Sequence, residues 1–336
     1  MTQPIHRPTT RCGSHRRVTW AREHLSAVAC AAVIIGAAVL VAVVKLSGSP
    51  PGGPARSAPV RSTQQVRYFG VYEPDMPHSY AAADRFGRDV GRQPNLVAYY
   101  SGWGEGFQKT FAETAAIHGA TTLVQMDPTD ISLYEIAHGR YDSYLKSFAA
   151  SVAALGHPVI ISFGHEMNGN WYSWAYHHSS PVDFIAAWRH IVTLFRQQGA
   201  ENVRWLWVVN SISSQTGPVR DWWPGSQYVT WVGVSGYYWL PNETFSYIFG
   251  RVVADIRRFT QDPVLIAETG VGPFRGRSTG IRNLFTGLRK DHYLGLVWFD
   301  RHSYGGVYKG ENWRLEGKTR ALATFRTALR AADDSS

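Results

Sequence analysis

Two glutamates stand where an alternating strand–helix sequence would hold reactive groups. Glu166 comes shortly after the apolar run Val159–Phe163 in VIISFGHEMNGNWYSW, and Glu268 follows Val264–Ala267 in VLIAETG. A carboxylate placed after a buried strand is presented at that strand's C-terminal end, where barrel enzymes keep their chemistry. Two facing carboxylates can divide the work of glycosidic-bond hydrolysis. One attacks the anomeric carbon; the other protonates the leaving oxygen and then activates water, at a separation of about 5–5.5 Å in the retaining version. The neighbours suit a sugar. The chain has 13 Trp, and an indole stacks on the flat apolar face of a pyranose. Trp171, Trp298 and Trp103 are the candidates for that stacking. Asn168 is a candidate for a sugar hydroxyl, and His165 for holding the hydrogen-bond geometry of the site. Trp188 and Trp205 read as packing residues.

Other chemistries fail on spacing. His165-Glu166 begins a zinc-protease pattern, but position 169 is Gly where the second His must stand. GVGPFRG over 270–276 lacks dinucleotide spacing, and Gly233-Val234-Ser235-Gly236 is no nucleophile elbow. His177 and His178 are adjacent and point apart, so they read as a solvated loop rather than a metal pair. Two Cys, at 12 and 30, exclude a disulfide scaffold and a Cys-rich zinc site. No cofactor or metal is expected.

Eight short apolar runs supply the strands that position these groups: Tyr68–Tyr72, Asn95–Tyr100, Thr121–Met126, Val159–Phe163, Val203–Val209, Trp231–Ser235, Val264–Ala267 and Gly295–Phe299. Helical stretches fall between them, clearest at Pro181–Gln198. There Ser180 is the N-cap, Phe184, Trp188, Ile191, Leu194 and Phe195 make an apolar stripe, and Gly199 stops the helix. Tyr141–Leu155, Phe245–Phe259 and Gly317–Ala331 are similar. Eight units over 271 residues, with no Gly-rich nucleotide loop, favour a closed (β/α)8 TIM barrel over a doubly wound open sheet. The two glutamates then end strands four and seven, across the mouth from each other.

The net charge of +9 is concentrated outside that barrel. Residues 1–65 hold eight Lys/Arg and one Glu, a balance of +7; the remaining 26 basic and 24 acidic residues leave +2. The body is nearly neutral, so nucleic acid is not an expected partner. Ser26 to Val44 is uncharged and almost wholly apolar, about 28 Å long as a helix. Five arginines precede it and only Lys45 follows closely, which predicts an inside N-terminus and an exported body. The expected organisation is a basic cytoplasmic leader (1–25), a single transmembrane helix or signal anchor (26–46), a flexible linker (47–65) and a barrel domain (66–332). An uncleaved anchor is the favoured reading; cleavage would secrete the body. The expected form is a monomer.

HEMNGNWYSW followed about a hundred residues later by IAETG resembles glycoside hydrolase family 26, over roughly residues 66–332. The resemblance implies a β-mannanase-like retaining hydrolase on a TIM barrel, with Glu166 as acid/base and Glu268 as nucleophile. The alternatives are a β-1,3-1,4-glucanase, a β-1,3-xylanase, or a catalytically silent surface carbohydrate-binding protein. It implies active-site roles for His165 and Trp171, and makes Tyr237 the tyrosine beside the nucleophile. That tyrosine is expected to donate to Glu268 and keep it ionised, while Glu268 is expected to raise the pKa of Glu166. The family's V-G-x-D-x-Y stretch reads VGVSGY here, with Ser235 in place of Asp, a departure that bears on substrate contacts and linkage.

Overall fold

The structure is a computed structural model that describes residues 66–302, 312–317 and 319–333. The expected leader, membrane span and linker lie outside the described residues. Within the described residues no helix is long and apolar enough to cross a membrane.

Strands and helices alternate as β1 (Tyr68–Tyr72), α1 (Ala81–Val90), β2 (Leu96–Gly102), α2 (Lys109–Ile117), β3 (Thr121–Asp127), α3 (Leu133–Ala137), α4 (Asp142–Ala153), β4 (Val159–Phe163), α5 (Pro181–Gln197), β5 (Val203–Asn210), β6 (Trp231–Tyr238), α6 (Arg251–Ile256), β7 (Val264–Val271), α7 (Arg277–Lys290), β8 (Gly295–Phe299) and α8 (Arg320–Asp333). A π-helical turn, Ser246–Gly250, leads into α6, so the helix expected over Phe245–Phe259 is split and shorter. All neighbouring strands pair in parallel and β1 pairs β8, which closes the barrel. The helix α5 starts as its sequence dictates: the Ser180 hydroxyl accepts from the backbone N–H of Val182 and Asp183, with Pro181 in the first turn. Such a cap stabilises a helix by about 1 kcal/mol.

Side chains alternate across the strands, so two cores form. Leu96, Ala98, Leu123, Ile160, Leu206, Val208, Leu265, Ala267 and Val297 fill the barrel. The opposite parity, with Phe69, Val97, Val124, Ile161, Trp207, Val234 and Trp298, packs under the helices. One irregularity matters for the site. Val234 pairs Ile266 but Ser235 pairs Glu268, so Ala267 is an extra residue in β7. The ladder with β8 jumps over the same stretch, from Ile266–Leu296 to Thr269–Trp298. This bulge reverses the alternation. Leu265 and Ala267 face inward before it, and Val271 faces the helices after it, which leaves Glu268 aimed into the mouth.

Beyond the β1–β8 seam, Glu73 and Asp300 are 3% and 4% exposed and hydrogen-bond to each other. Burial and the Asp300 charge push the Glu73 carboxyl up to about 8, against the pull of Arg314 and Arg85. Asp300 Oδ1 also accepts from Trp298 Nε1 (3.2 Å) and Leu315 N (2.7 Å), fastening the 312–317 segment to the barrel. A raised folded-state pKa stabilises below the ordinary carboxyl range, and that stability is lost as pH climbs through about 8. Glu73→Gln keeps a donor to Asp300 and removes the titration. The variant's melting temperature relative to wild type is therefore expected to rise between pH 5 and pH 8, by about 10 °C, as read by thermal melts across that range.

Candidate active site

Glu166 and Glu268 line one cleft of 490 Å³ at the C-terminal ends of the strands, together with Trp171, Asn210, Tyr237 and Phe299. Each carboxylate is held on both oxygens. Tyr100, inward on β2, donates to Oε2 of Glu268, and Tyr237, on β6, donates to Oε1. Glu166 Oε2 accepts from the Trp171 indole N–H (2.9 Å) and Oε1 from the Asn210 amide (2.8 Å). Burial, then the nearby Glu166 charge, pushes Glu268 up to about 7, while His165 and the two phenols pull the other way. Burial and Glu268 raise both tyrosines well above the usual phenol range, so they remain donors.

The HEMNGNW segment folds to serve Glu166. That residue has φ 56°, the left-handed region a non-glycine residue seldom adopts. Its N–H is bonded to Val208 O (2.8 Å), and its carbonyl accepts from Gly169 N (2.8 Å). The backbone is held in this strained turn by its neighbours, a pattern common at functional sites. Gly169 must be glycine because a Cβ there would stand 2.3 Å from the Trp171 ring. His165 lies fully inside. Its Nδ1 is 2.8 Å from Asp127 and its Nε2 3.1 Å from the Tyr172 hydroxyl. Burial alone would lower its pKa, but Asp127 and the two glutamates outweigh that and raise it to about 9. At neutral pH it is therefore a cation donating from both nitrogens, a fixed positive charge under the cleft.

Three expected sugar contacts are placed elsewhere. Trp298 is 0% exposed. It has the outward parity of Leu296 and packs on Phe325 of α8, with its N–H given to Asp300 and Trp313 O. The residue after it, Phe299, has the inward parity and lines the cleft, stacked on Tyr72 at 4.7 Å. Trp103 is partly buried among Tyr141, Tyr144 and Phe163, outside the cleft lining. Asn168 is 0% exposed. Its amide clamps the Asn210 backbone, donating to Asn210 O (3.0 Å) and accepting from Asn210 N (2.8 Å), so it positions a neighbour instead of touching sugar. Trp171 and Tyr237 do line the cleft, but their polar atoms are spent on the carboxylates. His177 and His178 are exposed, with His178 Nε2 on Asn170 O.

Sequence reasoning missed Tyr100, Asp127 and Asn210. Asp127 and Asn210 are polar residues ending apolar strands, the same signal that singled out the glutamates. It also missed Trp313, which reaches the cleft from beyond β8 and lies against Tyr237 at 4.7 Å. A Cβ at position 270 would come within 2.8 Å of its ring.

Tyr100→Phe removes one of the two donors that favour ionised Glu268. Hydrogen bonds to charged groups contribute about 1.5–3 kcal/mol, so kcat/KM is expected to fall about ten- to a hundredfold. The acid limb of the pH profile should move upward as well; a loss with an unmoved limb would make Tyr100 a packing residue only.

Residues 121–267 match the model of glycosyl hydrolase family 26. Endoglucanase H of Acetivibrio thermocellus is 27% identical over 274 residues, covering 76% of this chain and 30% of that protein. A β-1,3-xylanase of a Vibrio species is 28% identical over 110 residues, 32% of this chain and 22% of that protein. The chain thus spans less than a third of the length of these curated relatives. Among solved structures, the catalytic domain of a family 26 endo-β-1,4-mannanase from Bacillus sp. JAMB-750 superposes with a TM-score of 0.59 at 16% identity, covering 82% of this chain and 90% of the other. A mannanase from Bacillus subtilis gives 0.56 at 16% identity, covering 81% and 86%. Likeness at that identity shows a shared fold.

Proposed function

We propose that this barrel, whose residues 121–267 match the model of glycosyl hydrolase family 26, is a member of that family and hydrolyses a β-glycan with retention of anomeric configuration, β-1,4-mannan being the first substrate. The observation that carries the reading is the cleft with two carboxylates, each gripped by two donors: Glu268 by Tyr100 of β2 and Tyr237 of β6, Glu166 by Asn210 of β5 and Trp171 of the segment after β4. Glu268 attacks the anomeric carbon as the glycosidic C–O bond breaks, and Glu166 gives its proton to the departing oxygen. Glu166, now ionised, takes a proton from water, whose oxygen attacks the same carbon and frees Glu268. The cationic His165 and the two phenols hold negative charge on Glu268 where it is needed.

The aromatic surface extends past the reacting centre. Trp239 and Tyr247 line the cleft at 47% and 55% exposure, a platform for further sugar rings of a polymer. Mannan rests on the mannanase likeness of the barrel; the curated relatives and Ser235 keep mixed-linkage glucan and β-1,3-xylan as the second reading. Reducing-sugar release from mannan, mixed-linkage glucan, β-1,3-xylan and cellulose ranks these substrates. Proton NMR of the first product reports the anomer. Release of the opposite anomer would overturn retention, and binding with no release from any polymer would leave a carbohydrate-binding protein. Because catalysis needs ionised Glu268, kcat/KM should fall as pH drops through about 7.

We propose further that the span 26–46 anchors a monomeric enzyme in the membrane with the barrel outside. Nineteen linker residues, 47–65, would then give a reach of about 25 Å. Protease added to intact cells should remove the barrel; a protected barrel would reverse the orientation.

A further inference from the structure

Helices α7 and α8 carry a groove that glycan hydrolysis does not use. It encloses 440 Å³, with Arg282, Arg289 and Arg320 on its walls, Thr286 between them, and Phe285 and Ala328 as apolar floor. No carboxylate lines it. Among the described residues none of the three guanidinium groups forms an ion pair. Arg289 donates to Ala331 O (3.0 Å) and Arg282 to Thr279 Oγ1 (3.0 Å), while Arg289 Nε is buried with no acceptor at all. The charge around the groove is one-sided. Over its residues α7 has four cations and no acid. Within α8 three cations stand with a single acid, Asp333, which pairs with Arg92. From residue 66 onward the chain is nearly neutral, so this is local concentration, not overall excess.

Guanidinium groups gathered without counter-charge repel one another, and they match the oxygens of a phosphodiester in planar, bidentate fashion. The floor beneath them is apolar, which suits an amphiphile: phosphate against the arginines, glycerol and the start of the acyl chains over Phe285 and Ala328. We propose that this groove docks the barrel on an anionic phospholipid surface. The proposal rests on the anchor reading, which puts such a surface within the reach of the linker. No groove residue lines the catalytic cleft, so a docked barrel keeps its mouth open to polymer.

The full-length chain is placed in nanodiscs of phosphatidylcholine, alone or with phosphatidylglycerol, and backbone hydrogen exchange of 277–290 and 320–333 is compared. Exchange should slow several-fold only in the anionic discs and recover in about 0.5 M salt, where charge is screened. The protection should vanish in Arg282→Gln/Arg289→Gln/Arg320→Gln, with glycan hydrolysis unchanged. Equal exchange in both discs, or protection that survives the substitutions, overturns the proposal. Equal protection from glycerol phosphate added to neutral discs also overturns it, in favour of a soluble-phosphate site. A chain that enters neither disc refutes the anchor and not the groove. Flotation with free vesicles then decides: rising with anionic vesicles alone supports the docking, and rising with neither overturns it.

Discussion

Replacing Glu268 by alanine is expected to abolish turnover, a loss on the order of 10⁵-fold for removal of a nucleophile, in a protein that remains folded. The carboxylate sits at the mouth, outside both apolar cores, so its loss leaves packing largely intact. It leaves the Tyr100 and Tyr237 hydroxyls without their acceptor. A small anion such as azide fits that role: it accepts from the phenols and attacks the anomeric carbon from the face Glu268 occupied. The product is then a glycosyl azide of inverted configuration, visible by NMR, with partial return of rate. Circular dichroism and thermal melting establish that the variant is folded. A folded Glu268→Ala protein with more than about a hundredth of wild-type activity would remove Glu268 from the nucleophile's place.

Glu166→Ala should give a different signature. Proton donation to a leaving oxygen is worth about 10²–10⁴-fold, and it matters only where that oxygen is a poor leaving group. Polymer hydrolysis should therefore fall by about 10³-fold or more. The first, glycosylation step on a dinitrophenyl glycoside should change little. Steady-state turnover of that substrate should still slow, because the second step loses its base; a pre-steady-state burst of dinitrophenol is the readout. Equal loss on both substrates would assign Glu166 a structural role. The Asn210 amide and Trp171 indole, left without their acceptor, make Glu166→Gln a useful companion: it keeps the side chain's shape and one of its two acceptors, and loses the acid.

The eight strands are legible because each carries a compact apolar run, and all eight occur where those runs lie. Their C-terminal ends are not. β3, β5, β6 and β7 continue to Asp127, Asn210, Tyr238 and Val271, beyond the last uninterrupted apolar residue. Polar site residues begin there, and the hydrophobic signal stops at the point where the chemistry starts. Parity explains the Trp298 error in the same way. A strand's last aromatic residues alternate between the mouth and the helix layer, and Trp298 shares its face with Leu296 while Phe299 shares its own with Val297. Trp313 was out of reach for another reason. It is held at the cleft by the Trp298 indole and Arg277, which donate to its carbonyl, by its own N–H on Arg301 O, and by the Asp300 bond to Leu315, long-range contacts that leave no periodic trace.

The extra residue at Ala267 gives the barrel something like a reading frame. Upstream of it, odd-numbered residues of β7 face the interior; downstream, even-numbered ones do. The spacer is absorbed where it falls: Ser235 stands opposite Glu268 and Gly236 opposite Thr269, so the ladder beyond it keeps its register. The same carboxylate moved one place along, to position 269, would share the face of Val271 and point into the helix layer. Such a protein would have the same composition and the same closed circle of strands, with its nucleophile on the wrong side of the wall.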